Sequence, residues 1–152
     1  MDYAPVLTTV AARDMAAVSA RVTPEQLPQV VFGALDAVHS ALRAGDCGPY
    51  WGDVVLCEGE ADGVLDLRIG VGVSRPFPRI GAVAPWRTPG GEAVQVTHLG
   101  AYSERGRAHD AAKAGAARLG RGLTGVHWEV HGPFDLETRT RRTDIYYEAA
   151  HG

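Results

Sequence analysis

Around one proline-rich connector, "RPFPR" at residues 75–79, the chain runs twice through the same order of elements. Ahead of it, "PVLTTVAA" and "MAAVSARV" alternate apolar and polar residues. That predicts two strands, or one long bent strand, from about residue 3 to residue 22. "TPEQ" then opens a helix: Thr23 can cap it, Pro24 suits the first helical position, and Gln26 completes a capping-box pattern. Pro28 makes the first turn irregular. Val31, Leu35, Val38 and Leu42 form an apolar stripe at helical spacing, and Gly45 ends the helix. "GPYWGDVVLCE" and "GVLDLRIGVGV" follow as strands on either side of the turn "EGEADG". In the second strand Leu65, Leu67, Ile69, Val71 and Val73 share one face. Asp66, Arg68, Gly70 and Gly72 share the other, where glycine admits a second backbone or a flat ligand.

Beyond the connector, "IGAVAPW" and "EAVQVTHL" read as strands, "SERGRAHDAAKAGAARLG" as a helix capped by Ser103 and closed by Gly120, and "GVHWEVHG" and "RTDIYYEA" as strands again. The inner stripe of this second helix is Ala108, Ala112, Ala116 and Leu119, so it packs close and anchors weakly by burial. The expected architecture is a single α+β domain over residues 1–152. It consists of tandem strand-helix-strand-strand units, about 1–74 and 80–149, with pseudo-twofold symmetry, an antiparallel sheet and two main helices. A central ligand cleft between the units is the place where small-molecule sites usually lie.

Composition narrows the function. A net charge of −3 disfavours nucleic-acid and anionic-membrane surfaces. No apolar run is long enough for a membrane span, and the residues after Met1 do not resemble a signal peptide. Two cysteines, Cys47 and Cys57, make no metal motif and read as reduced thiols, which points to the cytoplasm.

The chemistry gathers at "GVHWEVHGP". His127, Glu129 and His131 alternate there, so in a strand they stand in one row on one face. Two imidazoles and a carboxylate suit zinc or iron, but neighbours in such a row are roughly 7 Å apart, too far to close on one ion without bending. We therefore expect no metal and no cofactor. Acid–base catalysis is a second option: Glu129 could activate water, with a hydroxyl from Tyr102, Tyr146 or Tyr147 orienting a substrate. A third joins Glu129 to aromatic faces, among them Trp51 and Trp86, to hold a lipophilic cation by stacking and charge pairing. Strand parity sets Trp128 and Val130 opposite Glu129, turns Ile145 and Tyr147 inward, and leaves Tyr146 as the ring for the cleft.

Taken together, "VTHLGAYSE", the helix after it, "WEVHGP" and "RTDIYYEA" resemble the second half of the GyrI-like, AraC-type effector-binding domain. "ARDMAAVSARVTPEQLP" and "VAPW" resemble its first half. The resemblance covers nearly the whole chain, and departs from the family where His131 replaces the usual Tyr after Glu-Val. It implies a stand-alone cytosolic binder of bulky lipophilic aromatic, often cationic, compounds, with the buried glutamate at Glu129 and the pre-helix tyrosine at Tyr102. The ligand-binding set is then Glu129, Tyr102, Tyr146, Trp51 and Trp86. Some stand-alone members open cyclopropane-bearing genotoxins with water, which would make Glu129 and Tyr102 catalytic. Others are linked to gyrase, so a protein partner of that kind is a further implication. Desolvation at the floor of an aromatic cleft is expected to raise the pKa of Glu129.

Overall fold

A computed structural model describes residues 3–44 and 47–151, without the side chains of Tyr102 and Phe134. The fold is α+β, as the sequence implies, with eight strands paired antiparallel and two main helices among the described residues. Among the described residues, no helix is long and apolar enough to cross a membrane. The chain divides into two compact units, one spanning Ala12–Pro89 and the other combining the stretch up to Ala11 with the chain from Gly90 onward.

The first unit contains β2 (Asp14–Val22), α1 (Leu27–Leu42), β3 (Gly52–Ala61), β4 (Val64–Gly72) and β5 (Ala84–Arg87), with strands in the order β3-β4-β2-β5. The second contains β1 (Val6–Val10), β6 (Gly91–Gly100), α2 (Gly106–Arg118), β7 (Leu123–Asp135) and β8 (Thr140–Ala149), in the order β1-β6-β8-β7. The segment read as the opening strand or strands is therefore two, and they part company. β1 pairs with β6, while β2 pairs with β4 and β5. Each sequence half thus lends its first strand to the other's unit, an exchange that apolar alternation alone does not encode.

Local chemistry explains the elements. Before α1, Pro24–Gln26 form a 3₁₀ turn, where the Thr23 N–H donates to Gln26 Oε1 at 3.0 Å. Pro28 then sits in the first turn of α1, where a missing N–H costs nothing. Gly45, expected to end this helix, lies outside the described residues. Val38 and Leu42 are buried against Ala16, Val71, Val73 and Phe77, and Leu35 packs beside them. Asp62 and Gly63 both have positive φ (55° and 76°), the signature of a two-residue type I′ hairpin, so β3 and β4 run closer to the turn than "EGEADG" suggests.

The two glycines of β4 are closely approached from above. A Cβ at Gly70 would stand 1.7 Å from the Ala16 carbonyl oxygen, and one at Gly72 would stand 2.1 Å from the Trp51 ring. The flat group accommodated on Gly72 is this chain's own indole.

In the second unit, Ala108, Ala112 and Ala116 of α2 are buried against Val94, Val96, Ile145 and Tyr147. Two expectations are corrected here. α2 begins at Gly106 with Arg105 in the N-cap position rather than Ser103, because Tyr102–Glu104 form a 3₁₀ turn. Leu119 falls at the C-cap, 49% exposed, and adds nothing to the inner stripe. Gly120 closes the helix at φ 68°, with its N–H donating to Ala117 O and that of Arg121 to Ala116 O.

Candidate functional site

The register of β6, β8 and β7 stacks three rows under α2. They are His98–Thr143–His131, Val96–Ile145–Glu129 and Val94–Tyr147–His127. Across them α2 carries Arg105, His109 and Lys113, four residues apart and hence on one stripe beside the buried alanines. The carboxylate of Glu129, 7% exposed, is the meeting point. His131 Nε2–H donates to Oε1 at 2.8 Å, while Arg105 Nε–H, at 3.0 Å, and His109 Nε2–H both donate to Oε2.

The chain of bonds continues from His109 Nδ1 to the Tyr147 hydroxyl at 2.7 Å. An imidazole that donates from Nε2 to a carboxylate and is otherwise neutral has Nδ1 free to accept the phenolic proton. Carboxylate, imidazole and phenol thus form one line. The His127 ring stacks on Tyr147, with centroids 4.8 Å apart and planes 13° from parallel. At the neighbouring row, His98 Nε2–H donates to Ala101 O at 2.8 Å, so its Nδ1 accepts from the Tyr3 hydroxyl at 2.7 Å.

The expected rise in the Glu129 pKa is corrected in direction. Burial does oppose ionisation, but hydrogen bonds from His109 and His131, with the Arg105 charge behind them, outweigh it and hold the carboxyl well below the usual carboxylate range. Glu129 is ionised at neutral pH before any ligand arrives, so it has no proton to release on binding. His127 moves the other way in charge: burial, then the neighbouring His109, lowers its pKa and favours the neutral ring.

The expected site residues are distributed as follows. His131 reaches Glu129, but His127 turns to Tyr147 instead, so the row splits. No group of three His, Cys, Asp or Glu side chains among the described residues has a metal-holding arrangement. Tyr146 stands on the face opposite Glu129, stacked on buried Trp128 with centroids 5.0 Å apart. Tyr147 is the tyrosine that joins the carboxylate's network. The side chain of Tyr102 lies outside the described residues.

Trp51 and Trp86 belong to the Ala12–Pro89 unit, and each already carries a guanidinium. Arg13 stands 3.8 Å from the Trp51 ring centroid and Arg68 stands 4.5 Å from that of Trp86. Their N–H groups are also engaged, Trp51 with Val73 O at 3.0 Å and Trp86 with Glu58 Oε1 at 2.9 Å. The residues missed from sequence, Arg105 and His109, had one visible signal, the four-residue spacing of basic side chains in "RGRAHDAAK".

No protein-family model matches the chain, and no curated protein matches it in sequence. Solved structures share its fold at low identity. The C-terminal domain of EcmrR superimposes with a TM-score of 0.82 at 16% identity, over 100% of both chains. EcmrR in its DNA complex gives 0.79 at 14%, over 99% of this chain and 58% of that one. SAV2435 bound to tetraphenylphosphonium gives 0.64 at 12%, over 99% and 94%. A hydrolase from Listeria innocua gives 0.60 at 14%, over 96% and 91%. The chain therefore shares the fold of these proteins over nearly its whole length.

Proposed function

We propose that this chain binds bulky lipophilic aromatic compounds as an effector-type, GyrI-like module, with Glu129 as the charged centre of its site. The observation that carries this reading is a buried carboxylate kept ionised inside a fold shared with the tetraphenylphosphonium-bound SAV2435. A fixed negative charge in a low-dielectric setting attracts a cation far more strongly than one in water. In this chain the position is filled by Arg105, a partly exposed side chain at the start of α2. A cationic ligand therefore binds by taking that guanidinium's place, and neutral aromatics bind without the exchange.

Titration with a cationic fluorescent dye and an uncharged analogue tests this. Saturable micromolar binding supports the reading, and absence of saturable binding of either compound contradicts it. Glu129→Gln should weaken the cation by roughly 1–3 kcal/mol and spare the neutral compound.

The line Glu129–His109–Tyr147 favours a second reading, hydrolysis of strained electrophilic rings. The phenolic proton passes to His109 Nδ1, and the phenolate accepts a proton from the attacking water. The water oxygen bonds to one ring carbon as the strained carbon–carbon bond breaks, and the released carbon takes the proton held on His109 Nδ1, so that Tyr147 and His109 return to their starting states. Mass spectrometry would then find a gain of one water, lost in His109→Ala with ligand binding retained. A compound that binds but is never hydrated leaves the module a binder only.

A further inference from the structure

Away from Glu129, the Ala12–Pro89 unit contains a cavity of about 340 Å³ whose chemistry has the opposite sign. That volume is within the usual range for small-molecule sites. Small residues such as Ala17, Ser19 and Ala84 line much of it, and its functional groups are Arg68, Arg79 and Trp86. Among the described residues that line it, none is acidic. We infer that this cavity is a second small-molecule site, for a planar aromatic anion such as an aryl carboxylate, with Trp86 as the stacking face and Arg68 and Arg79 as the charge partners.

Arg68 and Trp86 are held in place beforehand. The Arg68 guanidinium is fixed by Asp66 Oδ1 at 2.7 Å and by the Leu67 carbonyl at 3.0 Å, and it lies over the Trp86 ring. The indole is pinned along its edge by Glu58, yet Trp86 remains 38% exposed. The Glu58 and Asp66 carboxylates that hold these groups do not line the cavity; they border a separate groove with Arg21 and Glu60.

Arg79 follows Pro78, and its neighbour Ile80 exchanges two backbone hydrogen bonds with Val83, at 2.9 and 3.0 Å, so the chain beside it is anchored. Arg79 is exposed and makes no ion pair with any described residue. A carboxylate at the mouth would gain that charge, while a flat ring would cover an indole otherwise left in water. Preorganisation of this kind lowers the entropic cost of binding. A cationic ring would meet two guanidiniums and be rejected.

The test is a titration of the full chain with 2-naphthoate, 2-naphthalenemethanol and 2-naphthylmethylammonium, followed on the three tryptophan indole N–H signals by NMR. Trp86→Phe assigns the signal of Trp86. The expected result is a saturable shift of that signal with 2-naphthoate, weaker with the alcohol and weakest with the ammonium compound, while the Trp51 and Trp128 signals hold. Arg79 is exposed, so Arg79→Gln should leave the fold intact and weaken 2-naphthoate about tenfold, with Arg79→Lys recovering part of the loss. Glu129→Gln should leave this titration unchanged, which separates failure of this site from failure of the Glu129 reading. Equal or tighter binding of the ammonium compound at Trp86, or unchanged 2-naphthoate affinity in Arg79→Gln, would overturn the inference.

Discussion

The Glu129 carboxylate and the indoles of Trp51 and Trp86 share one kind of occupant, an arginine of the same chain, in two different settings. Around Glu129 the charges are largely out of water, and Arg105 is joined by two imidazoles in a continuous network. On the indoles the guanidiniums of Arg13 and Arg68 lie against aromatic faces, Arg13 exposed and Arg68 pinned by Asp66, with Trp86 substantially exposed. Buried ion pairs depend on every partner, because removing one leaves the others desolvated and unmatched. Stacked arginines at exposed rings contribute modestly, and water replaces them readily. The features that would welcome a cationic ligand are thus already neutralised from within, by a buried network at Glu129 and by single stacked guanidiniums at the indoles.

The largest expected effect falls on the buried network. Glu129→Gln keeps the shape but removes the charge that three donors face, and should cost about 2–3 kcal/mol of stability in urea unfolding. A change below about 0.5 kcal/mol would place the carboxylate in a setting as soft as that of the indoles. The same variant should alter the acid limb. Since the Glu129 pKa is lower in the folded than in the unfolded chain, the unfolded state binds more protons below about pH 4.5. Stability is therefore fully present above that pH and lost as pH falls further. Glu129→Gln should flatten this portion of the stability profile. A smaller step should begin near pH 6.5, because His127 is also depressed by burial and protonates more readily when unfolded; His127→Gln removes it.

Why part of this was legible in the sequence, and part was not, follows from how each feature is encoded. Strand parity has a period of two, so the opposite faces of Glu129 and Trp128 could be read directly, as could the separation of Tyr146 from Tyr147. Which of those tyrosines met the carboxylate depended on what covered each face, and parity does not contain that. The start of α2 depended on a 3₁₀ turn that moved the cap from Ser103 to Arg105. With the helix shifted, Arg105 and His109 reach over the edge of the alanine stripe to Glu129. The direction of the Glu129 shift was a contest between burial and donors; histidines on its own strand could be anticipated from parity, but Arg105 and His109 arriving from the start of α2 could not. The exchange of β1 and β5 between units was hidden because both are short and pair at long sequence range.

At the indoles the expected effects are small. Arg13→Gln, at an exposed guanidinium over Trp51, should change stability by no more than about 0.5–1 kcal/mol and become undetectable at high salt. A loss as large as that of Glu129→Gln would erase the difference between the two settings.

The account rests on Arg105 occupying the place a cationic ligand would take. Isothermal titration of wild-type and Arg105→Gln chains, each with a lipophilic aromatic cation and its uncharged analogue, addresses this directly. Removing the guanidinium leaves an ionised carboxylate still held by His109 and His131, so cation affinity should rise about tenfold while that for the neutral compound stays within about twofold. Unchanged or weaker cation binding in Arg105→Gln would contradict the account.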